Sequence, residues 1–132
     1  MIFIDSSFWI AEFMPRDGRH GNAIAASRRV AAERLVTSTL VVGETWTYLR
    51  RRAGHVRAMR WLDGALGRII VRVERIDDEL EGEAWQWLRA HDERPYSFVD
   101  ATSFALMRKL RIREALAFDG DFEAAGFVEL RP

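Results

Sequence analysis

Five short apolar runs punctuate this chain, and stretches of helical periodicity separate them. The runs are Met1 to Ile4, Leu35 to Ser38, Ile69 to Ile76, Ala115 to Phe118 and Phe127 to Leu130. Each reads as a strand, and the first and fourth are continuous enough to be buried on both faces. Strands alternating with helices constrain the fold more than any other feature. A parallel pair needs a long crossover, and a helix is its usual form. The expectation is one α/β domain over residues 1–132. Its mainly parallel sheet has four to five short strands, flanked by helices on both faces. Right-handed crossovers then bring every strand's C-terminal end to one edge, where open sheets of this kind bind ligands.

The helices between the runs carry their own punctuation. Phe8, Trp9, Ile10 and Phe13 form a short helix stopped by Pro15 and Gly18. Residues 19–33 form an alanine-rich one. Thr37-Ser38-Thr39 offers caps for a helix bearing Leu40, Val41, Glu44, Thr45, Tyr48 and Leu49, and Gly54 divides it from another through Val56, Met59, Leu62 and Leu66. Asp78 with Glu81 reads as a capping box, as does Ser97 with Asp100. The second box opens a helix from Ser97 to Leu110. Gly126 caps a last short helix at 122–125.

Composition narrows the chemistry. The chain has 132 residues, 48% of them hydrophobic, enough for one sizeable core. With no cysteine, disulfides and thiolate metal sites are excluded. His20, His55 and His91 are scattered and make no zinc-binding pattern. The apolar start has no basic leader and is interrupted by Asp5, so a soluble cytoplasmic protein with no membrane association is expected. Formal net charge is zero. Its distribution is uneven: Arg50, Arg51, Arg52, Arg57 and Arg60 fall together without an acid. Such a cluster is ordinarily a solvated face, and otherwise a place for phosphates.

Four segments deliver acids to the one edge. Asp5 follows the first strand, Glu44 lies early in the helix after the second, Asp100 opens the helix before the fourth, and Asp119 and Asp121 follow that strand. Each has an ordinary explanation alone. Asp5 and Asp100 are helix caps, and Glu44, on the apolar stripe of its helix, has Arg50 to Arg52 as available partners. Together they repel, so either some stay protonated or a cation sits among them. A site of oxygen ligands without Cys or His favours Mg²⁺ or Mn²⁺. Such an ion can bind a phosphodiester oxygen and acidify a water.

Asp5-Ser6-Ser7, Glu44 in TSTLVVGETW, Asp100 in SFVDATSFAL and Asp119 in LAFDGDF together resemble a PIN domain, of the length and order found in the toxins of bacterial VapBC toxin–antitoxin systems. The resemblance covers essentially the whole chain. It implies an RNA endonuclease using Mg²⁺ or Mn²⁺, with Asp5, Glu44, Asp100 and Asp119 as the catalytic acids and metal ligands and Asp121 as an auxiliary ligand. Ser6, Ser7, Arg50 and Arg51 are candidate substrate contacts. It also implies a cognate VapB-type antitoxin and a homodimer, with Trp9, Trp46, Tyr48 and Trp61 as candidate groove or dimer residues. One position departs: relatives often carry Ser or Thr two residues before the last acid, where this chain has Ala117. Two other readings use the same acids. A phosphotransfer domain of the haloacid-dehalogenase or receiver type also places an Asp after its first strand, although the phosphatase form wants a second Asp where Ser7 stands. A non-catalytic module would use the acids to hold a structural cation or a basic peptide.

Overall fold

The computed structural model describes residues 1–132. Its five strands are β1 (Ile2–Ile4), β2 (Leu35–Ser38), β3 (Val71–Glu74), β4 (Glu114–Leu116) and β5 (Val128–Glu129). They form one sheet in the order β3-β2-β1-β4-β5, and every pair is parallel. The first three strands build outward in one direction from β1, and the last two build in the other. Right-handed crossovers therefore place the intervening helices on opposite faces. Helices α1 (Ser6–Phe13), α2 (His20–Arg29), α3 (Thr39–Ala53) and α4 (His55–Leu66) cover one face. Helices α5 (Asp78–Ala90), α6 (Phe98–Leu110) and α7 (Asp121–Ala124) cover the other.

The sheet reverses its winding between β1 and β4, where their C-terminal ends part to make a crevice. The backbone fixes this junction tightly. Phe3 aligns with Ala115 and Ile4 with Leu116, and Asp5 N–H donates to Leu116 O at 3.0 Å. Continuing that register sets Ala117 beside Asp5.

Helix α6 anchors the second face. Residues Asp100 to Met107 are all buried, more of the helix surface than an amphipathic stripe would cover. Phe104 is the hub: its ring lies 5.0 Å from Phe122, 5.0 Å from Trp87 and 5.6 Å from Phe127. Full burial of such a ring contributes about 1.5–3 kcal/mol by area alone. Phe122 lies in α7 and Phe127 just after it, so this aromatic cluster also supports the segment carrying Asp119 and Asp121.

Several local expectations shift. The third strand keeps only Val71–Glu74, because Ile69 is fully exposed in a turn and Ile76 lies beyond the last ladder pair. The alanine-rich helix ends at Arg29, and the residues after it turn instead of continuing the helix, with Glu33 N–H donating to Val30 O at 2.9 Å. The cap of α5 is Asp77, whose side chain accepts from Leu80 N–H at 2.9 Å, so Asp78 is the first helical residue and not the cap. Trp9 and Trp61 are core, packed edge to face at 5.7 Å. Trp46 is half-buried against Met59, and Tyr48 alone of the four aromatic candidates is exposed.

Candidate active site

Asp5 stands at the end of β1 as the N-cap of α1. Its Oδ2 accepts from Ser7 N–H at 3.1 Å and from Ser7 Oγ at 2.7 Å. Ser7 Oγ in turn accepts from Phe118 N–H at 3.1 Å, tying the end of β1 to the end of β4. Ser7 is thus a strut across the crevice. Asp5 is 1% exposed, and that burial lifts its pKa to about 7, against the lowering effect of Ser7 and with Asp119 and Asp100 adding repulsion.

Asp100 does two jobs at once. The capping box is complete: Asp100 N–H donates to Ser97 Oγ at 2.9 Å, and Ser97 N–H donates to Asp100 Oδ2 at 2.9 Å. Only Oδ2 is spent on the cap, which leaves Oδ1 for the crevice. Burial raises this carboxyl to about 6, opposed by the Ser97 amide and reinforced by Asp119 and Asp121. Asp119 is raised as well, first by loss of surrounding water and then by Asp121. One carboxylate oxygen each from Asp100, Asp119 and Asp121 fall within 4.8 Å of one another. Three negative groups at that spacing, all oxygen donors, fit a hard divalent cation such as Mg²⁺ or Mn²⁺. Asp121, expected as auxiliary, belongs to this inner cluster. Asp5 lies behind it, close enough to repel Asp119 and Asp100.

Glu44 reaches the crevice from the other side. It is exposed on α3, contrary to its assignment to the apolar stripe, and none of Arg50, Arg51 or Arg52 pairs with it. Its Oε2 accepts from Ser6 Oγ at 2.7 Å. Ser6, Ser7, Glu44 and Asp119 line one cleft. Arg51 lines the neighbouring groove, and Arg50 lines neither.

Three residues of the site escaped the sequence. Arg94, in the loop before α6, donates from Nε to Asp121 Oδ1 at 2.9 Å and from Nη2 to the Asp119 carbonyl at 3.3 Å. Arg19 lies over the Phe118 ring at 5.3 Å and offsets part of the Asp119 charge. Glu129 on β5 is buried, and its two oxygens accept from Gly120 N–H at 3.2 Å and Glu123 N–H at 3.1 Å. It clamps the loop that presents Asp119 and Asp121. Gly120 takes φ +80 there, a conformation that suits glycine. The only hint in sequence was an acid in an otherwise apolar last strand.

The chain is similar to known proteins along its whole length. The chain is 54% identical, over all of its length and 99% of theirs, to the 23S rRNA-specific endonuclease VapC20 of two Mycobacterium tuberculosis strains, CDC 1551 / Oshkosh and ATCC 25618 / H37Rv. It superimposes on the crystal structure of Mycobacterium tuberculosis VapC20, described as a sarcin–ricin loop cleaving toxin, with a TM-score of 0.90 and 53% identity across the whole of both chains. A family model for the PIN domain matches residues 2–128. Fold and sequence agree over the whole chain, and it belongs to the PIN-domain family.

Proposed function

We propose that this protein is a metal-dependent endoribonuclease that hydrolyses RNA phosphodiester bonds, the toxin of a type II toxin–antitoxin pair. One observation carries the reading: Asp100, Asp119 and Asp121 gather at the switch point of the sheet, with Asp5 buried behind them and Glu44 across the cleft. The likeness to an rRNA-specific endonuclease over the full chain supports it and favours a structured loop of 23S rRNA as substrate.

Asp100, Asp119 and Asp121 would hold Mg²⁺ or Mn²⁺, with Asp5 and Glu44 completing the acidic surroundings. When bound, such a cation polarises a phosphoryl oxygen and lowers the pKa of a bound water. The chain's own residues set the stage for that chemistry. Ser7 fixes Asp5, Ser97 fixes Asp100, and Glu129 fixes the loop of Asp119 and Asp121. Ser6 holds Glu44 by one oxygen and leaves Oε1 open to the cleft, positioned to accept a proton from water. Ala117 removes a hydroxyl beside Asp5, a place where Ser7 already supplies one.

A cognate VapB-type antitoxin and a homodimer belong to the same reading, as does a cytoplasmic setting with access to ribosomal RNA. No helix is long and apolar enough to cross a membrane. The test is hydrolysis of an RNA carrying the sarcin–ricin loop, with Mg²⁺ and with excess EDTA. Cleavage that EDTA stops and Mg²⁺ restores is expected; EDTA-insensitive cleavage, or none with Mg²⁺ and none when Mn²⁺ replaces it, would refute the reading.

A further inference from the structure

A second groove opens from the acidic cleft, running between α3 and the start of α6. Glu44 and Tyr48 line both, so the two are continuous. The groove has a volume of about 850 Å³, within the range of pockets that take a small-molecule or nucleotide-sized ligand. Its character changes away from Glu44. Arg51 and Arg52 are its other charged residues, and Tyr48 and Phe98 are its rings. The Arg52 guanidinium lies 5.5 Å from the centre of the Tyr48 ring. Phe98 stacks on Trp85 at 4.4 Å and 26°, and Trp85 is 45% exposed. Phe98 is also two residues from Asp100, so a chain bound in the groove leads directly to the acidic cluster.

Arginines beside aromatic rings match what a single-stranded nucleic acid requires. Guanidinium forks take phosphate oxygens, and rings stack on unpaired bases. Tyr48 and Phe98 each have one face already supported, by Arg52 and by Trp85 respectively, which rigidifies them as platforms. We propose that the α3–α6 groove is the subsite for unpaired nucleotides flanking the cleaved bond. Arg51 and Arg52 hold phosphates, Tyr48 stacks on one base, and the Phe98–Trp85 pair stacks on a second. This rests on the nuclease reading above and adds where the RNA strand lies. It also gives a role to part of the arginine run at residues 50–60: two members of that cluster face the groove.

The test is binding in EDTA, where no hydrolysis is needed. A fluorescein-labelled RNA hairpin carrying the sarcin–ricin loop is titrated by anisotropy at several salt concentrations. The proteins are wild type, Arg51→Ala/Arg52→Ala, Tyr48→Ala, Tyr48→Phe and the control Arg113→Ala. The double variant is expected to lose at least tenfold in affinity, with a salt slope shallower by about 1.4, the value for two single-strand phosphate contacts. Tyr48→Ala should lose roughly 5- to 100-fold, Tyr48→Phe should recover it, and Arg113→Ala should match wild type. Unchanged affinity in the double variant and Tyr48→Ala overturns the subsite, as does a wild type that binds no RNA. So does sedimentation showing that these variants lose self-association or antitoxin binding while RNA affinity stays intact. A wild type that binds through the groove but never cleaves with Mg²⁺ sinks the nuclease reading and leaves the subsite standing.

Discussion

Helices α5 and α6 both open on an acid-bearing cap. At α5, Asp77 accepts from Leu80 N–H on the exposed surface, with Lys109 Nζ 3.6 Å from its other oxygen. At α6, Asp100 closes a reciprocal box with Ser97 beneath a crevice wall. The hydrogen bonds are alike, yet the carboxyls shift in opposite directions. The Leu80 amide draws Asp77 below the usual carboxylate range, while burial carries Asp100 up to about 6. A cap in water is stabilised by the positive end of the helix and needs nothing else. A cap taken out of water and set near Asp119 and Asp121 demands a proton or a cation. Asp77 is the N-cap itself and Asp100 the third residue of a box capped by Ser97. Yet both carboxylates accept a backbone N–H at a helix start, and what surrounds each makes it structural or functional.

The contrast breaks most visibly at activity. Asp100→Asn keeps an oxygen to accept from Ser97 N–H and should leave the fold intact while reducing RNA cleavage by more than about 100-fold, beyond what losing an orienting group costs. Asp77→Asn should cleave at the wild-type rate. Equal rates for Asp100→Asn and wild type would remove Asp100 from the catalytic set. Next in size, Glu129→Ala frees the backbone at Gly120 and Glu123. Cleavage should fall roughly 10- to 100-fold with weakened Mg²⁺ affinity by calorimetry, and Glu129→Gln should restore part of both, since its one carbonyl oxygen keeps one of the two clamps. An unchanged Mg²⁺ affinity in Glu129→Ala would reduce Glu129 to a packing residue. The smallest effect is on α5. Asp77→Ala should lower Tm by roughly 3–5 °C through loss of the cap, with no change in turnover.

The sequence carried the parallel α/β fold because β-runs and helical stretches alternate without ambiguity, and five strands formed where runs were seen. It carried the acids too, since strand ends and caps mark the edge to which each is delivered. It misplaced Glu44, because helical spacing says which face a residue is on but not whether a neighbouring helix covers that face. Ser6 supplied the partner sought among Arg50 to Arg52. It overlooked Arg94 and Glu129 for a related reason. Arg94 meets Asp121 across 27 residues, and Glu129 reaches Gly120 only because β5 pairs with β4. No local pattern encodes such pairings. The offset from Asp78 to Asp77 reflects two adjacent acids, either of which can cap until the backbone chooses.

The central claim is that the crevice holds more negative charge than it tolerates without a cation, and thermal stability against pH measures this directly. Asp5 and Asp100, raised to about 7 and about 6, bind protons in the folded state that the unfolded chain has already released. Their stabilisation is complete below the ordinary Asp pKa near 4 and is lost as pH rises through 6 and 7. Metal-free protein should therefore fall in Tm by on the order of 10 °C between pH 5 and 8. Mg²⁺ should restore most of that loss at pH 8, and Asp100→Asn should flatten both the pH slope and the Mg²⁺ response. A metal-free Tm that is level or rises over that range, with no response to Mg²⁺ at pH 8, would contradict the account.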